Sequence, residues 1–250
     1  HFPEGSRIAL LFPENAYGYY INHIIDPIAD ESSSLIVNRA PYKEDLTNAR
    51  EAIKELSKYE LRKYELNRQK KILEKNGIKC KIIPAKIDEK QIKESLLEAN
   101  ATPELISKNL AELKANKVSE KKPNEIILGA DSVLDLNGEL ISKPTNKKEA
   151  LTILQKLNGQ KHQLISSVCI SKNGSMIWNF TDASTLTMKQ LNLDEIKSYL
   201  AKIKDKELYA YGVYQIEAGG SFLFSKIEGD EDTIMGLPVK QIKEYLNTLK

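Results

Sequence analysis

The sequence has little of several residue types that identify common classes of protein. Its 250 residues include two cysteines, three histidines and one tryptophan, too few for a disulfide framework or a histidine-rich metal site. No apolar run approaches the roughly 20 residues that a membrane-spanning helix needs. The N-terminus has no basic segment followed by a long apolar one, so we predict no signal peptide.

The sequence also has almost no excess of one charge over the other. The 37 Lys and Arg residues are balanced by 35 Asp and Glu residues, which leaves a formal net charge of +2. So small an excess gives no electrostatic footprint for nucleic acid, and Trp178 and the tyrosines follow no stacking stripe. We therefore predict a globular protein that binds neither nucleic acid nor a membrane.

The two cysteines, Cys80 and Cys169, lie in apolar, strand-like runs without metal-ligand spacing. We predict that both are reduced core residues of a cytoplasmic protein. The chain begins at His1 rather than Met, which favours a processed, tagged or fragmentary chain.

Strand and helix signals alternate along the chain, which predicts a mixed α/β fold. Strand signals cover 7–12, 34–39, 78–83, 126–128, 162–171, 181–189 and part of 220–230. Helix signals cover 45–75, 102–117, 146–159, 192–203 and 238–250. The run Lys172-Asn173-Gly174 predicts a hairpin turn between two of the strands.

The segment 125–144 puts a carboxylate directly behind one of these strands. Residues 126–128 are the strand signal, Gly129 and Ala130 remove side-chain bulk where it ends, and Asp131 follows. The carboxyl end of a strand is where open α/β sheets bind ligands. Taken alone, however, Asp131 is better explained as a solvated turn residue.

From about residue 70 onwards the chain resembles the Maf family of nucleoside triphosphate pyrophosphatases. The matching stretches come in the family's order and are 71–89, 110–115, 128–144, 157–168, 211–217 and 227–239. They include "LAELKA" and "GADSV", with Ser142 where the family has glycine before Lys-Pro. The resemblance implies an α/β fold with a mixed sheet, flanking helices and a central cleft over residues 70–250, preceded by a short α/β segment.

Residues 1–69 differ from that family. They resemble part of a periplasmic-type ligand-binding domain, of the kind found in activators of penicillin-binding proteins, and end in a long helix. The family's Ser-x-Ser-x-x-Arg phosphate loop is not recognisable, because residues 64–73 carry neither serine. Arg68 is the nearest candidate for the loop's arginine, with Lys70 as the alternative. We predict a fusion or a spliced fragment with its joint near 67–71.

The resemblance implies hydrolysis of a nucleoside triphosphate to the monophosphate and pyrophosphate, with Mg²⁺ or Mn²⁺ as cofactor. Such a reaction needs a divalent cation, cationic side chains on the phosphates and a carboxylate that orients or deprotonates water. By resemblance, Asp131 is the catalytic carboxylate, Glu89 is the second acid, and both bind the metal. Asp88 and Glu94 remain rivals to Glu89.

Five further residues are implied as substrate-binding groups: Lys114, Lys143, Arg68, Gln215 and Glu217. Lys143 precedes Pro144, which restrains the backbone and so the direction of the side chain. Alternation in the segment 211–220 puts Gln215 and Glu217 on one face, although a plain edge strand with a wet face explains the pattern almost as well. For His162 we expect a structural role.

Two other functions remain open. One is a regulatory protein that binds nucleotide but has impaired catalysis. The missing phosphate loop favours it, because losing contacts to the transition state raises the activation free energy of hydrolysis. Alternatively, residues 1–69 form a ligand-binding module. The resemblance is compatible with any preferred base and with a homodimer.

Overall fold

The structure of the protein is a computed structural model that describes residues 7–13, 35–42, 62, 65–204, 207–208, 210, 212–216 and 219–249. The chain divides into two compact units, His1–Tyr64 and Glu65–Lys250. In the first unit, strands β1 (Arg7–Pro13) and β2 (Leu35–Tyr42) pair in parallel. The strands predicted at 7–12 and 34–39 are confirmed.

The second unit is built around one sheet. Its strands are β3 (Ile127–Leu136), β4 (Glu139–Ile141), β5 (Lys161–Lys172), β6 (Ser175–Met188) and β7 (Phe224–Glu228). They lie in the order β4-β3-β5-β6-β7, and every ladder between neighbours is antiparallel.

Helices flank this sheet, which confirms the α/β fold class. They are α1 (65–75), α2 (Glu89–Glu98), α3 (Pro103–Ser119), α4 (Lys147–Leu157), α5 (Leu193–Lys202), α6 (Glu231–Ile234) and α7 (Val239–Thr248). A short 3₁₀ turn, Gly220–Leu223, precedes β7. In the part of the chain that the structure describes, no helix has the length and apolar character needed to cross a membrane.

Three of the helices begin at a capping side chain that the sequence provides. Thr102, Asn146 and Asn192 each accept a hydrogen bond from the backbone N–H three residues later, at the start of α3, α4 and α5. Such caps satisfy N–H groups that have no partner within the helix. The helices predicted at these three places are confirmed.

Two Asn-Gly turns join neighbouring strands. Asn137 and Gly138 connect β3 to β4, and Asn173 and Gly174 connect β5 to β6; all four residues have positive φ. This is the backbone conformation of the tight turns that join antiparallel strands, and the predicted hairpin is confirmed. β6 begins directly after its turn, earlier than the sequence indicates, because the tight turn pairs it with β5 at once.

The strand predicted at 78–83 is wrong. Exposure does alternate there: Ile78 and Cys80 pack against a hydrophobic cluster beside α1 and α7, while Lys79 and Lys81 are exposed. None of the described strands pairs with this segment, and a β-strand needs a partner for its backbone N–H and C=O groups. The segment is therefore extended chain packed through alternate side chains.

The long helix predicted at 45–75 is only partly covered by the described residues. The part at 65–75 is helical, which confirms the prediction there, whereas residues 45–61, 63 and 64 lie outside the described ranges. At the other end of the chain, α7 confirms the helix predicted at 238–250.

The sheet has hydrophobic clusters on both faces. Ala111 and Ala115 of α3 pack on Cys169 of β5, while the neighbouring Val168 points to the opposite face and packs in the cluster with Ile242 of α7. A larger cluster, formed partly by α4 and α5, covers another part of the sheet. Cys169 is buried, as predicted for a core residue, whereas Cys80 is half-buried.

Hydroxyl groups form a chain of hydrogen bonds across the sheet, beginning on β3, the strand that carries Asp131. Ser166 donates its only hydroxyl proton to the Thr233 carbonyl at 2.9 Å, so Ser132 is the donor in the 3.0 Å contact between the two serine hydroxyls. The Thr233 hydroxyl donates to Asp182 Oδ2 at 3.0 Å. These bonds fasten β3, β5 and β6 to α6.

His162 is buried in the core on β5. Its Nε2 lies 2.8 Å from the Tyr214 hydroxyl, and the ring also lies against Phe224. Burial lowers the pKa of His162 to about 4, and a hydrogen bond with the Gln160 backbone opposes this shift only in part. The contacts agree with the structural role expected from the sequence.

This pKa predicts acid sensitivity. An unfolded chain binds a proton at His162 near its ordinary pKa of 6.5, whereas the folded chain does not until about pH 4. The free energy of unfolding should therefore fall as the pH is lowered between these values, by about 1–2 kcal/mol at pH 5 relative to pH 7.5. Urea unfolding at the two pH values measures the loss. His162→Gln should lack this component; an unchanged difference would contradict the assignment.

Candidate active site

Asp131 lies in the middle of β3, where it pairs with Ser167 of β5. The expectation that the strand ends at Gly129-Ala130 is therefore wrong, and so is the argument from the carboxyl end of a strand. Burial explains the difference: positions 129, 131 and 133 of β3 are all buried on the α3 side of the sheet, so the strand continues through the small residues. Asp131 is only 7% exposed, which excludes the solvated turn.

Small residues bring α3 very close to the strand beneath Asp131. A Cβ atom at Gly129 would lie 2.4 Å from the Ala111 carbonyl oxygen and 2.7 Å from the Ala115 backbone nitrogen. Only glycine fits this approach, and its backbone is not in the left-handed region. Gly129 of the "GAD" run and the alanines of "LAELKA" thus have one physical reason, since together they let the helix lie against the strand.

Lys114 reaches from α3 over this contact to Asp131. Its Nζ lies 2.7 Å from Asp131 Oδ1, 3.4 Å from the Ala130 carbonyl oxygen and 3.4 Å from Glu89 Oε1. The side chain of Lys114 is 20% exposed, so this ion pair is largely removed from water. One ammonium group therefore links the two acids that the resemblance implies.

The pKa of Lys114 reflects these neighbours. Burial acts to lower it, but the charges of Asp131, Glu89 and Glu65 and the hydrogen bond to Asp131 outweigh burial and raise it above its usual value. Lys114 is therefore a fixed positive charge at neutral pH and does not serve as a base.

Of the three carboxylates that compete in the segment 86–94, Glu89 is the one in contact with Lys114. Asp88 instead caps α2 by accepting from the backbone N–H groups of Lys90 and Gln91. Glu94 pairs with Lys90 across one helical turn at the surface. The geometry thus singles out Glu89 beside Asp131.

Asp131 Oδ2 is buried and has no hydrogen-bond partner among the described residues, although Oδ1 is held by Lys114. A buried carboxylate oxygen without a partner is costly unless a ligand or water satisfies it. Oxygen from two carboxylates suits Mg²⁺ or Mn²⁺. The described ranges contain no group of three His, Cys, Asp or Glu side chains arranged for a metal.

Lys143 follows β4 and is held by two groups of its own unit. Its ammonium contacts the Glu65 carboxylate at the start of the described part of α1, and it donates to the Ala210 carbonyl oxygen at 2.6 Å. Glu65 also contributes to the raised pKa of Lys114. Glu65 therefore interacts with both lysines, by direct contact with Lys143 and by its charge with Lys114. This acid was not expected from the sequence.

The three remaining candidates for substrate binding are Arg68, Gln215 and Glu217. Arg68 lies on α1, three residues after Glu65, so the two share one side of the helix. Gln215 is half-buried and lies outside any strand, and its carbonyl oxygen accepts from Gly220 N at 2.8 Å. Glu217 lies outside the described residues.

Sequence reasoning missed two residues near the cluster. Ser107 is fully buried on α3 and donates to the Asp131 carbonyl oxygen at 3.1 Å. Its spacing of seven residues from Lys114 puts both on one side of the helix, a signal that was available. Glu65 has no such signal, since Lys143 is 78 residues away in the chain.

Comparison with known proteins decides the family. The sequence profile of a family described as "Maf-like protein" matches residues 67–249. The chain belongs to the Maf family. A nucleoside triphosphate pyrophosphatase of Pelagibacter ubique (strain HTCC1062) is 64% identical to this Maf protein over 181 residues, which are 72% of this chain and 93% of the relative.

Two other relatives of this Maf protein differ in their names. A nucleoside triphosphate pyrophosphatase of Roseobacter denitrificans is 39% identical over 176 residues, or 70% of this chain and 88% of the relative. A 7-methyl-GTP pyrophosphatase of Brucella abortus is 39% identical over 168 residues, or 67% of this chain and 84% of the relative.

The close approach of α3 to β3 makes a testable prediction. Gly129→Ala should lower the free energy of unfolding by about 2 kcal/mol, because the added Cβ meets backbone atoms that cannot rotate away. Urea unfolding measures the loss. Gly77→Ala is the control: Gly77 has a φ of +81° and no neighbour within 4 Å, so it should lose only about 1 kcal/mol. An equal loss of stability in the two variants would contradict the close approach of α3 to Gly129.

Proposed function

We propose that this Maf protein hydrolyses nucleoside triphosphates between the α- and β-phosphates and releases a nucleoside monophosphate and pyrophosphate. The observation that carries the proposal is the convergence of Asp131, Glu89 and Lys114, from a strand and two helices, on one partly buried site. The names of the relatives support the same reaction class. The domain that performs it is residues 70–250.

Asp131 is the proposed general base. Lys114 holds Oδ1, which fixes the carboxylate and leaves Oδ2 to accept a proton from water. As that proton is removed, the water oxygen forms a bond to the α-phosphorus and the bond to the bridging oxygen breaks, so that pyrophosphate leaves. Positioned proton transfer of this kind contributes about 10²–10⁴ in rate.

Asp131 and Glu89 are the residues that would hold Mg²⁺ or Mn²⁺. When bound, the cation would neutralise charge on the phosphate oxygens. Lys114 keeps the two carboxylates oriented in a partly buried site, where electrostatic interactions are stronger than in bulk water. Lys143, Arg68, Gln215 and Glu217 are the proposed contacts to the rest of the nucleotide. A cytoplasmic location is part of the same proposal.

Pyrophosphate release from a panel of triphosphates tests the function. The panel contains the four ribonucleotides, the four deoxyribonucleotides and 7-methyl-GTP, each with Mg²⁺, with Mn²⁺ and with a chelator. We expect release from at least one member, with nucleoside monophosphate as the other product, and loss of release in chelator. If nucleotides raise the melting temperature but none is hydrolysed, the protein is a nucleotide-binding protein without catalysis.

A further inference from the structure

We propose that Glu65 acts as a built-in competing anion on Lys143, so that a polyphosphate binds by displacing this carboxylate. The inference rests on the proposed function for the role of Lys143, but it concerns a contact that belongs to this chain. It assigns Glu65 as a determinant of how tightly the site binds phosphate.

The contact itself supplies the first argument. The Lys143 ammonium is bound by the Glu65 carboxylate and by the Ala210 carbonyl, yet 46% of the Lys143 side chain is exposed. A ligand in solution can therefore reach the ammonium. A phosphate oxygen and a carboxylate oxygen seek the same charge-assisted hydrogen bonds, so the two compete.

Charge beside the two lysines supplies the second argument. Glu65 pairs with Lys143, and its charge also contributes to the raised pKa of Lys114. Its carboxylate therefore adds negative charge beside both Lys143 and Lys114. Glu65 thus makes a site for an anion less attractive to anions than its lysines alone would make it.

Backbone restraint supplies the third argument. Pro144 follows Lys143 and restricts the lysine backbone to extended conformations, while Glu65 belongs to helix α1. The two side chains therefore meet from fixed elements, and a phosphate takes the place of the carboxylate by rotation of the glutamate side chain.

The experiment measures binding of inorganic pyrophosphate to the full chain by calorimetry. Glu65→Gln should bind about three- to tenfold more tightly than the unmodified protein, because an exposed ion pair and its repulsion of the ligand are removed. Glu139→Gln is the matched control, since Glu139 is exposed and pairs at the surface with Lys156; it should leave the affinity unchanged. Adding Lys143→Gln to Glu65→Gln should abolish the gain.

Unchanged or weaker binding by Glu65→Gln overturns the proposal, and so does a gain that persists without Lys143. Loss of binding in Glu65→Gln only when Mg²⁺ is present also overturns it, because Glu65 would then be a metal ligand. The binding assay needs no turnover. A protein that fails to hydrolyse nucleotides but shows the gain would therefore refute only the proposed function, whereas an active enzyme without the gain would refute only this inference.

Discussion

Asp131→Asn should lower kcat for pyrophosphate release about a thousandfold. The amide keeps the shape of the side chain and a hydrogen-bond acceptor, but it cannot take a proton from water at the oxygen that is left without a partner in the structure. Lys114 keeps Glu89 as a counter-charge in this variant, so we expect the protein to fold. Steady-state kinetics and a thermal melt measure the two effects separately.

Asp135→Asn is the matched control for this experiment. Asp135 lies on the same strand and accepts a hydrogen bond from Gly138 N in the β3–β4 turn, away from Lys114. Its replacement should change kcat by less than about twofold. If Asp131→Asn keeps a tenth of the activity, or if the control loses as much, Asp131 is not the base.

Lys114→Met should lower the free energy of unfolding by about 2–3 kcal/mol. Removing one partner of a buried ion pair usually costs about 3–5 kcal/mol because the other charge is left uncompensated, and the 20% exposure of Lys114 reduces this penalty. Urea unfolding at pH 7 measures the change. The raised pKa of Lys114 means that its contribution is fully present at that pH and is lost only as the solution becomes strongly alkaline.

A double variant separates charge from packing. Lys114→Met combined with Asp131→Asn removes both charges, so it should recover about 1 kcal/mol relative to Lys114→Met alone. Lys117→Met, one turn along the same helix at an exposed pair with Glu120, should change stability by less than about 0.5 kcal/mol. No recovery in the double variant would mean that the stem of Lys114, rather than its charge, stabilises the site.

Local sequence signals were sufficient for most elements, whereas the acid–lysine cluster was predicted from the family resemblance. Thr102, Asn146 and Asn192 mark helix starts because a capping side chain bonds to a backbone group three residues away. Asp131 and Lys114 lie in short motifs on which the resemblance rests, and the close contact between α3 and β3 brings them together across 17 residues of chain. Capping depends on neighbours within one turn, and sequence patterns report it.

The errors concern features that depend on distant parts of the chain. Residues 78–83 alternate like a strand, but a strand forms only when another one lies beside it. Gly129 and Ala130 have the composition of a strand end, yet β3 continues through them, and Gly129 is small because α3 lies across it. Glu65 contacts Lys143 although the two are 78 residues apart in the chain, and no pattern around either residue indicates the other.

The two acids of the site differ in how firmly the fold anchors them. Asp131 belongs to β3, which lies between β4 and β5 in the sheet. Hydrogen bonds through Ser132 and Ser166 fasten this strand on its other face. Glu89 begins α2, a helix with no buried residue. Movement of α2 would expose no buried side chain of that helix. Movement of β3 would break its hydrogen bonds to β4 and β5. Adaptation to nucleotides of different size is therefore expected on the Glu89 side, with Asp131 as the stationary reference for the reacting phosphate.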